Sequence, residues 1–298
     1  MPYRFTGRKC VRIAHHISGI WSPQPSEDPL KAGSRGAGVL VSPYLNACLE
    51  GEGEGLLVDY KGSQPRMRPL EILASRLPSR DAMIRIDLTL PPGRGYATSA
   101  ASSIGYALLA NWLAGGSLIE SFQLAHEAEV RALTGLGDVA SITLGRMLNF
   151  RWTAGPPPEA VVDSYPVPSS VVVASFSLGS MDTRDMLASA MEVFRREGER
   201  SLLRLEREPG FEVFLEEARR FSRATGQLRG QVENAVVAAD RSCGGCVLGY
   251  FVKKTLLVVF VEKGWATELP SLLSSQGVFF EYSHLHRVVG EGVLLGPA

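Results

Sequence analysis

One stretch limits what this chain can be: Leu90-Pro91-Pro92-Gly93-Arg94-Gly95-Tyr96-Ala97-Thr98-Ser99-Ala100-Ala101. An apolar, strand-like run from Met83 to Leu90 leads into it, and a segment rich in Ala, Ser, Leu and Ile continues to about Ala114 as a buried helix. Gly93 and Gly95 carry no Cβ, so the backbone can turn tightly and bring its N–H groups against a ligand. Thr98 and Ser99 fall where the new helix has unpaired N–H groups and the positive end of its dipole. A joint built this way can hold a phosphate, although the same glycines would also serve a plain strand–turn–helix connection. It lacks the Lys-Ser or Lys-Thr pair of a Walker A loop, and a second helical pattern follows where a dinucleotide fold would place a strand ending in an acidic residue. The meaning of the loop rests on its companions.

Composition removes several classes. The 298 residues suffice for one large domain or two ordinary ones. A hydrophobic fraction of 45 % and a charged fraction of 21 % are those of a soluble globular protein. Formal net charge is zero and no basic block occurs, which argues against a nucleic-acid partner. No apolar run is long enough to span a bilayer. The segment MPYRFTGRKC lacks the apolar core of a secretory signal, so the cytoplasm is the expected compartment. Arginine far outnumbers lysine, a bias reported in some heat-adapted families. Cys10, Cys48, Cys243 and Cys246 are too few and scattered for a disulfide scaffold. Cys243-Gly-Gly-Cys246 has no second pair for zinc and is followed by strand-like residues rather than a helix, so a buried or incidental role is expected.

In chain order, Cys10 to Ala14 reads as a short strand that ends in His15-His16-Ile17-Ser18-Gly19-Ile20-Trp21-Ser22-Pro23. A Gly-rich run, Asp28 to Gly38, opens a strand from Val39 to Leu49. Gly51-Glu52-Gly53-Glu54-Gly55 is a turn whose carboxylates would repel phosphate, and Leu56 to Tyr60 returns as a strand. A short helix covers Pro69 to Arg76. After the central loop and its helix, a second helix runs from about Ser117 to Ala132. Thr134-Gly135-Leu136-Gly137-Asp138-Val139-Ala140-Ser141 is a tight polar turn, and Ile142 to Trp152 is strand-like. Gly155-Pro156-Pro157-Pro158 is the clearest break, which divides the chain into residues 1–162 and 163–298. The second part mixes strands (Val171 to Phe176, Val247 to Val252, Leu256 to Glu262, Val278 to Val289) with helices (Arg184 to Asp240, Trp265 to Ser274), an α+β pattern.

Phosphoryl transfer needs a phosphate cradle, a magnesium site and a group that handles the attacking hydroxyl. Magnesium takes oxygen ligands. Ser99 can offer a hydroxyl, and Glu129 a carboxylate if the two helices lie side by side. Asp138, in a glycine-flanked turn just beyond, can reach the same cavity. Taken singly, Glu127 and Glu129 also read as solvated helix residues and Asp138 as a cap.

Together, these runs resemble the GHMP family of small-molecule kinases. The family's phosphate loop, Pro-x-x-x-Gly-Leu-Gly-Ser-Ser-Ala, is matched by Pro91 to Ala100, with Tyr96 and Ala97 in place of the Leu-Gly pair. The resemblance implies a two-domain GHMP kinase fold, with an N-terminal ribosomal-S5-domain-2-like α/β domain and a C-terminal ferredoxin-like α+β domain. It implies ATP held by Pro92, Gly93, Arg94, Gly95, Tyr96, Ala97, Thr98, Ser99 and Ala100. It also implies Mg²⁺ on Ser99 and Glu129, with Glu127 as the competing alignment, and Asp138 as the catalytic carboxylate.

Within the family the likeness is strongest to the archaeal branch that phosphorylates pantoate to 4-phosphopantoate for coenzyme A synthesis. His16 to Pro23, Asp28 to Gly38, Thr134 to Val139 and Arg151 to Pro158 carry it. That branch implies a substrate with one carboxylate, for which Arg151 is the first candidate and Arg35 the second. His16 and Ser22 are implied as partners of its hydroxyl or carboxylate. His15 is equally placed by sequence, and His16 is preferred only through the family register. The resemblance leaves room for a homodimer and gives no membrane partner. His284-Leu285-His286 has metal-compatible spacing but no visible third ligand, so surface histidines are expected there.

Overall fold

The structure is a computed structural model that describes residues 9–50, 53–79, 82–179 and 183–296. The readings of residues 1–8, of Gly51-Glu52 and of residues 180–182 lie outside the described residues. In order, the first part comprises β1 (Lys9–Gln24), β2 (Gly33–Glu50), β3 (Gly55–Asp59), α1 (Arg68–Arg76), β4 (Met83–Asp87), α2 (Thr98–Leu113), α3 (Leu118–Ala132), α4 (Asp138–Leu144), β5 (Leu148–Arg151) and β6 (Val162–Tyr165). The rest comprises β7 (Val171–Ser177), α5 (Thr183–Arg207), α6 (Phe211–Ala224), α7 (Gly230–Ser242), β8 (Val247–Lys253), β9 (Leu256–Glu262), α8 (Leu269–Ser275), β10 (Ser283–His286) and β11 (Val293–Gly296).

Two sheets result. The first has the order β11-β1-β2-β4-β3, with β5 on the other part of β2 and β6 on β5; the second has the order β10-β7-β9-β8. The expected division after residue 162 falls inside β6. The chain changes sheets between β6 and β7, and β11 returns to pair with β1 of the first sheet.

α2 is apolar on every side, and from Thr98 to Asn111 every residue except Ser99 is buried. Such a helix must be covered all round: β1, β2 and β4 lie on one side (Ile13, Leu45, Ala47, Ile84, Ile86) and α3 on the other (Phe122, Ala125, Ala128). α3 starts on a reciprocal capping box between Ser117 and Glu120. It lies beside α2, which satisfies the condition set for Glu129. A second core joins the two parts of the chain. Ile17, Ile20 and Trp21 of β1 and Phe150 of β5 meet Phe194 of α5, Phe214 and Phe221 of α6, and Phe251 and Phe260 of β8 and β9.

Several expectations need correction. β1 does not stop at Ala14 but continues to Gln24, buried along nearly its whole length. His15, His16, Ser18 and Ser22 looked like the end of a strand because they are polar, yet they are buried among protein partners. The polar turn and strand expected over 134–152 instead give α4, which starts at Asp138, and then β5; tertiary packing overrides the β-branched composition there. The cysteines form two disulfides, Cys10–Cys48 and Cys243–Cys246. Cys10 and Cys48 sit directly opposite each other in the β1–β2 register, which their distance along the chain conceals.

Candidate active site

The loop between β4 and α2 adopts the conformation its glycines permit. Gly93 (φ +77°) and Gly95 (φ +97°) are left-handed, and Ala97 (φ +55°), which precedes α2, is left-handed as well. Ala97, the N-cap of α2, has no side chain that could cap it, so the first-turn N–H groups are left for the cavity beside them. Gly93, Gly95, Ala97, Thr98 and Ser99 form one wall of that cavity, whose volume is about 230 Å³. The side chains of Arg94 and Tyr96 turn away from it. Arg94 Nη1 donates to Glu281 Oε2 (2.6 Å), and Tyr96 is fully buried with its hydroxyl 2.9 Å from Ser175 Oγ. Pro92 and Ala100 do not line the cavity either.

Glu129 is buried at the end of α3. Its Oε1 accepts from Ser99 Oγ (2.5 Å) and Ser103 Oγ (2.8 Å), and its Oε2 accepts from Thr134 Oγ1 (2.8 Å). Burial outweighs these three donors and raises the carboxyl to a pKa of about 7. Glu127 is held by Arg76 (2.6 Å) and Arg131 (2.7 Å), so Glu129 is the acidic side chain of this helix that is bonded to the loop. Gly135 sits between the two acidic side chains of the site. A Cβ there would lie 3.0 Å from Glu129 Oε2 and 3.3 Å from Asp138 Oδ2. The hydroxyls of Ser99 and Thr134 with the Glu129 carboxylate form an all-oxygen donor set at the cavity wall, which suits a hard divalent cation.

Asp138, the first residue of α4, is surrounded by nitrogen. His16 Nδ1 donates to its Oδ1 at 2.8 Å, Ser18 Oγ lies at 3.4 Å, and Lys253 Nζ is 3.9 Å away. Burial alone would raise this carboxyl, but Lys253, His16 and Arg151 together hold it well below the usual carboxylate range. Burial lowers His16 to a pKa of about 4, so the ring is neutral at pH 7 and presents Nδ1–H to Asp138. Arg151, at the end of β5, is almost wholly buried. Its Nη1 donates to Ser141 Oγ and its Nε approaches the Ser34 carbonyl (3.4 Å). Two glycines make room for its guanidinium: a Cβ on Gly36 or Gly137 would come within 2.6 Å of it.

The structure therefore brings together Ser99, Asp138 and Arg151 on the cavity wall, with Glu129 and His16 directly behind. It does not bring Arg35 or Ser22 there. Arg35 is bound by Glu199 (2.5 Å) and Glu206 (2.6 Å) of α5, and Ser22 Oγ faces the Arg195 carbonyl (3.4 Å). The site's serines are Ser18 and Ser34. A bulge between Ser18 and Ile20 breaks the alternation of β1, so that Ser18, opposite Gly38, and Ser22, opposite Arg35, point to different faces. Ser34 is on the other face from its neighbour Arg35. His15 lies under the loop, bonded to the Tyr96 carbonyl (3.3 Å) and Thr89 Oγ1 (3.0 Å). His286 is buried rather than on the surface, and His284 is half-buried. Trp21, Leu136 and Lys253 line the cavity and were not foreseen. The available signal for Lys253 was scarcity: it is one of six lysines in the chain and directly follows an apolar strand.

The family model "GHMP kinases N terminal domain" matches residues 67–146. The pantoate kinase of Thermococcus kodakarensis is 32 % identical over 77 % of this chain and 80 % of its own length. That of Methanospirillum hungatei is 25 % identical over 76 % and 78 %. A solved structure described as a phosphotransferase related to the CoA biosynthesis pathway superposes with a TM-score of 0.81 at 27 % identity, covering 97 % of this chain and 98 % of that one. No helix among the described residues is long and apolar enough to cross a membrane.

Proposed function

The chain belongs to the pantoate kinase family of GHMP kinases, and on that footing we propose that it transfers the γ-phosphoryl group of ATP to the C4 hydroxyl of pantoate. One observation carries the reading: the uncapped end of α2, an all-oxygen cluster on Glu129 and a carboxylate set among cations share a single cavity.

The N–H groups of the loop and of the first turn of α2 hold the phosphates. Ser99 and Glu129 would hold Mg²⁺, which supplies charge neutralisation on the β- and γ-phosphates. Asp138 orients the C4 hydroxyl toward the γ-phosphorus and accepts its proton. Because Asp138 is so acidic, that transfer comes late, once the oxygen–phosphorus bond has begun to form. His16 does not touch the substrate; its Nδ1–H fixes the Asp138 carboxylate in one orientation. Lys253, the cation nearest Asp138, faces the negative charge that develops on the transferring group. The free donors of the Arg151 guanidinium take the pantoate carboxylate. Ser18 and Ser34 replace Ser22 and Arg35 as polar partners of the acceptor, while Trp21 and Leu136 cover its gem-dimethyl carbon. The same reading makes the cytoplasm, where ATP is generated, its place of work.

The test is ADP release from ATP and Mg²⁺ with pantoate, pantothenate, mevalonate, homoserine and shikimate in turn. Pantoate is expected to exceed every other acceptor in kcat/KM by about 10²-fold or more, since a site built to bond a particular hydroxyl and carboxylate rejects molecules that leave those groups unpaired. Equal turnover of any other acceptor would overturn the assignment.

A further inference from the structure

The loop departs from its family's pattern at Tyr96, and the side chain there enters a chain of buried hydrogen bonds that crosses into the second sheet and returns to β2 of the first. The Tyr96 hydroxyl is 2.9 Å from Ser175 Oγ on β7, and Ser175 Oγ is 2.7 Å from His286 Nε2 on β10. His286 Nδ1 is 2.5 Å from the Ser42 carbonyl on β2. A carbonyl only accepts, so His286 carries its proton on Nδ1 and accepts at Nε2. Ser175 must then donate to His286, and Tyr96 must donate to Ser175. The chain runs in one direction, with the His284 carbonyl (3.5 Å) as a longer alternative acceptor for Ser175 Oγ. The Tyr96 backbone is fixed as well, its carbonyl accepting from the His16 amide (3.2 Å) and from His15 Nδ1 (3.3 Å).

The neighbouring loop residues reach the same second sheet. Arg94 bonds Glu281 and Ser177 and the Gly179 carbonyl. A Cβ on Gly95 would touch Leu256 and the Lys253 carbonyl at 3.4–3.5 Å, so the loop backbone lies directly on the β8–β9 hairpin. That hairpin carries Lys253. The position of the loop relative to Lys253 is thus set by contacts across the two sheets, and Tyr96 supplies the buried one.

Resting on the reading of this loop as the nucleotide site, we infer that Tyr96 is a positioning residue that fastens the phosphate loop to the second sheet before nucleotide arrives. A loop with two glycines in left-handed conformations has much freedom to lose on binding. Fastening it in the folded protein removes that loss from the binding step, which is how preorganisation raises affinity. The anchor acts on the nucleotide side of the cavity and leaves Arg151, Ser18 and Ser34 untouched.

Tyr96→Phe removes only the hydroxyl, and Ser175→Ala removes its acceptor from the other sheet, so a fault in the folding of one variant leaves the other to decide. The readouts are the dissociation constant of a non-hydrolysable ATP analogue without acceptor, the two KM values, and the thermal midpoint. Each variant is expected to weaken analogue binding and raise the KM for ATP about five- to twentyfold, with the KM for pantoate within about twofold of wild type. The double variant is expected to match the worse single one, because both break the same chain. Wild-type analogue affinity in both variants, or a parallel rise in the two KM values, would overturn the inference and leave the chain with a purely structural role. Because analogue binding needs no acceptor, this result stands apart from the identity of the acceptor.

Discussion

Glu129, buried, and Asp138, partly buried on the cavity wall, flank Gly135, and their surroundings treat a proton in opposite ways. Glu129 is ringed by three hydroxyls, which stabilise a charge only in part, and it rises to a pKa of about 7. Asp138 has Lys253, His16 and Arg151 around it and stays ionised throughout the physiological range. Hydroxyls leave a carboxyl ready to exchange its proton for a metal; full cations keep it charged without one. On the proposed reading, the same residue chemistry thus suits one carboxyl to a metal and the other to accepting a proton.

The most severe way to break this contrast is to discharge Asp138. Asp138→Asn keeps the shape and is expected to lower kcat by about 10²–10⁴-fold, measured as ADP release at saturating substrates. A near-wild-type rate would remove Asp138 from its role. Removing the cation instead sharpens the comparison. Lys253→Met is expected to lower kcat on the order of 10²-fold and to move the acid limb of the pH–rate profile to higher pH, because Asp138 would no longer be held down. An unmoved limb would uncouple the two.

For the other carboxyl, the sign of the electrostatics predicts a gain. Between the ordinary value of 4.5 and about 7, the folded protein binds a proton at Glu129 that the unfolded chain releases, so stability falls as pH rises through that window. Glu129→Gln is therefore expected to be more stable than the metal-free wild type at pH 8, on the order of 2–3 kcal/mol, with the difference gone below pH 4.5. Wild-type activity should also require more Mg²⁺ as the pH falls below 7. Thermal midpoints at the two pH values, where a less stable variant at pH 8 would contradict the account, decide it. Glu127→Gln makes the smallest change: its surface pairs with Arg76 and Arg131 are worth about 1 kcal/mol or less, and the Mg²⁺ dependence of activity should stay within twofold.

The two ends of the cavity were also unequally legible in the sequence. The nucleotide end lies within one continuous run. The glycine spacing announced the loop, the apolar helix announced α2, and a helix of ordinary length then put Glu129 beside Ser99. The acceptor end is assembled across sheets. His16 was placed by family register, but whether a serine or arginine on β1 and β2 points inward depends on strand register, which period-two alternation cannot fix when both faces are buried. Ser22 and Arg35 failed for that reason, and Ser18 and Ser34 went unnoticed. Lys253 comes from the second sheet, and its scarcity and its place after an apolar strand do not say which cavity it enters. The tight apposition of Gly36 and Gly137 to Arg151 was equally invisible, since it is a contact between segments far apart in the chain.

The return of β11 to the edge of β1 bears on synthesis at the ribosome. The first sheet emerges with most of its strands early, yet one flank of β1 stays bare until the entire second half has been translated. An unpaired strand edge invites association with other chains, so the nascent protein passes through a stage that shielding by a chaperone would protect. Splitting the gene between the two sheets would leave that flank open for good.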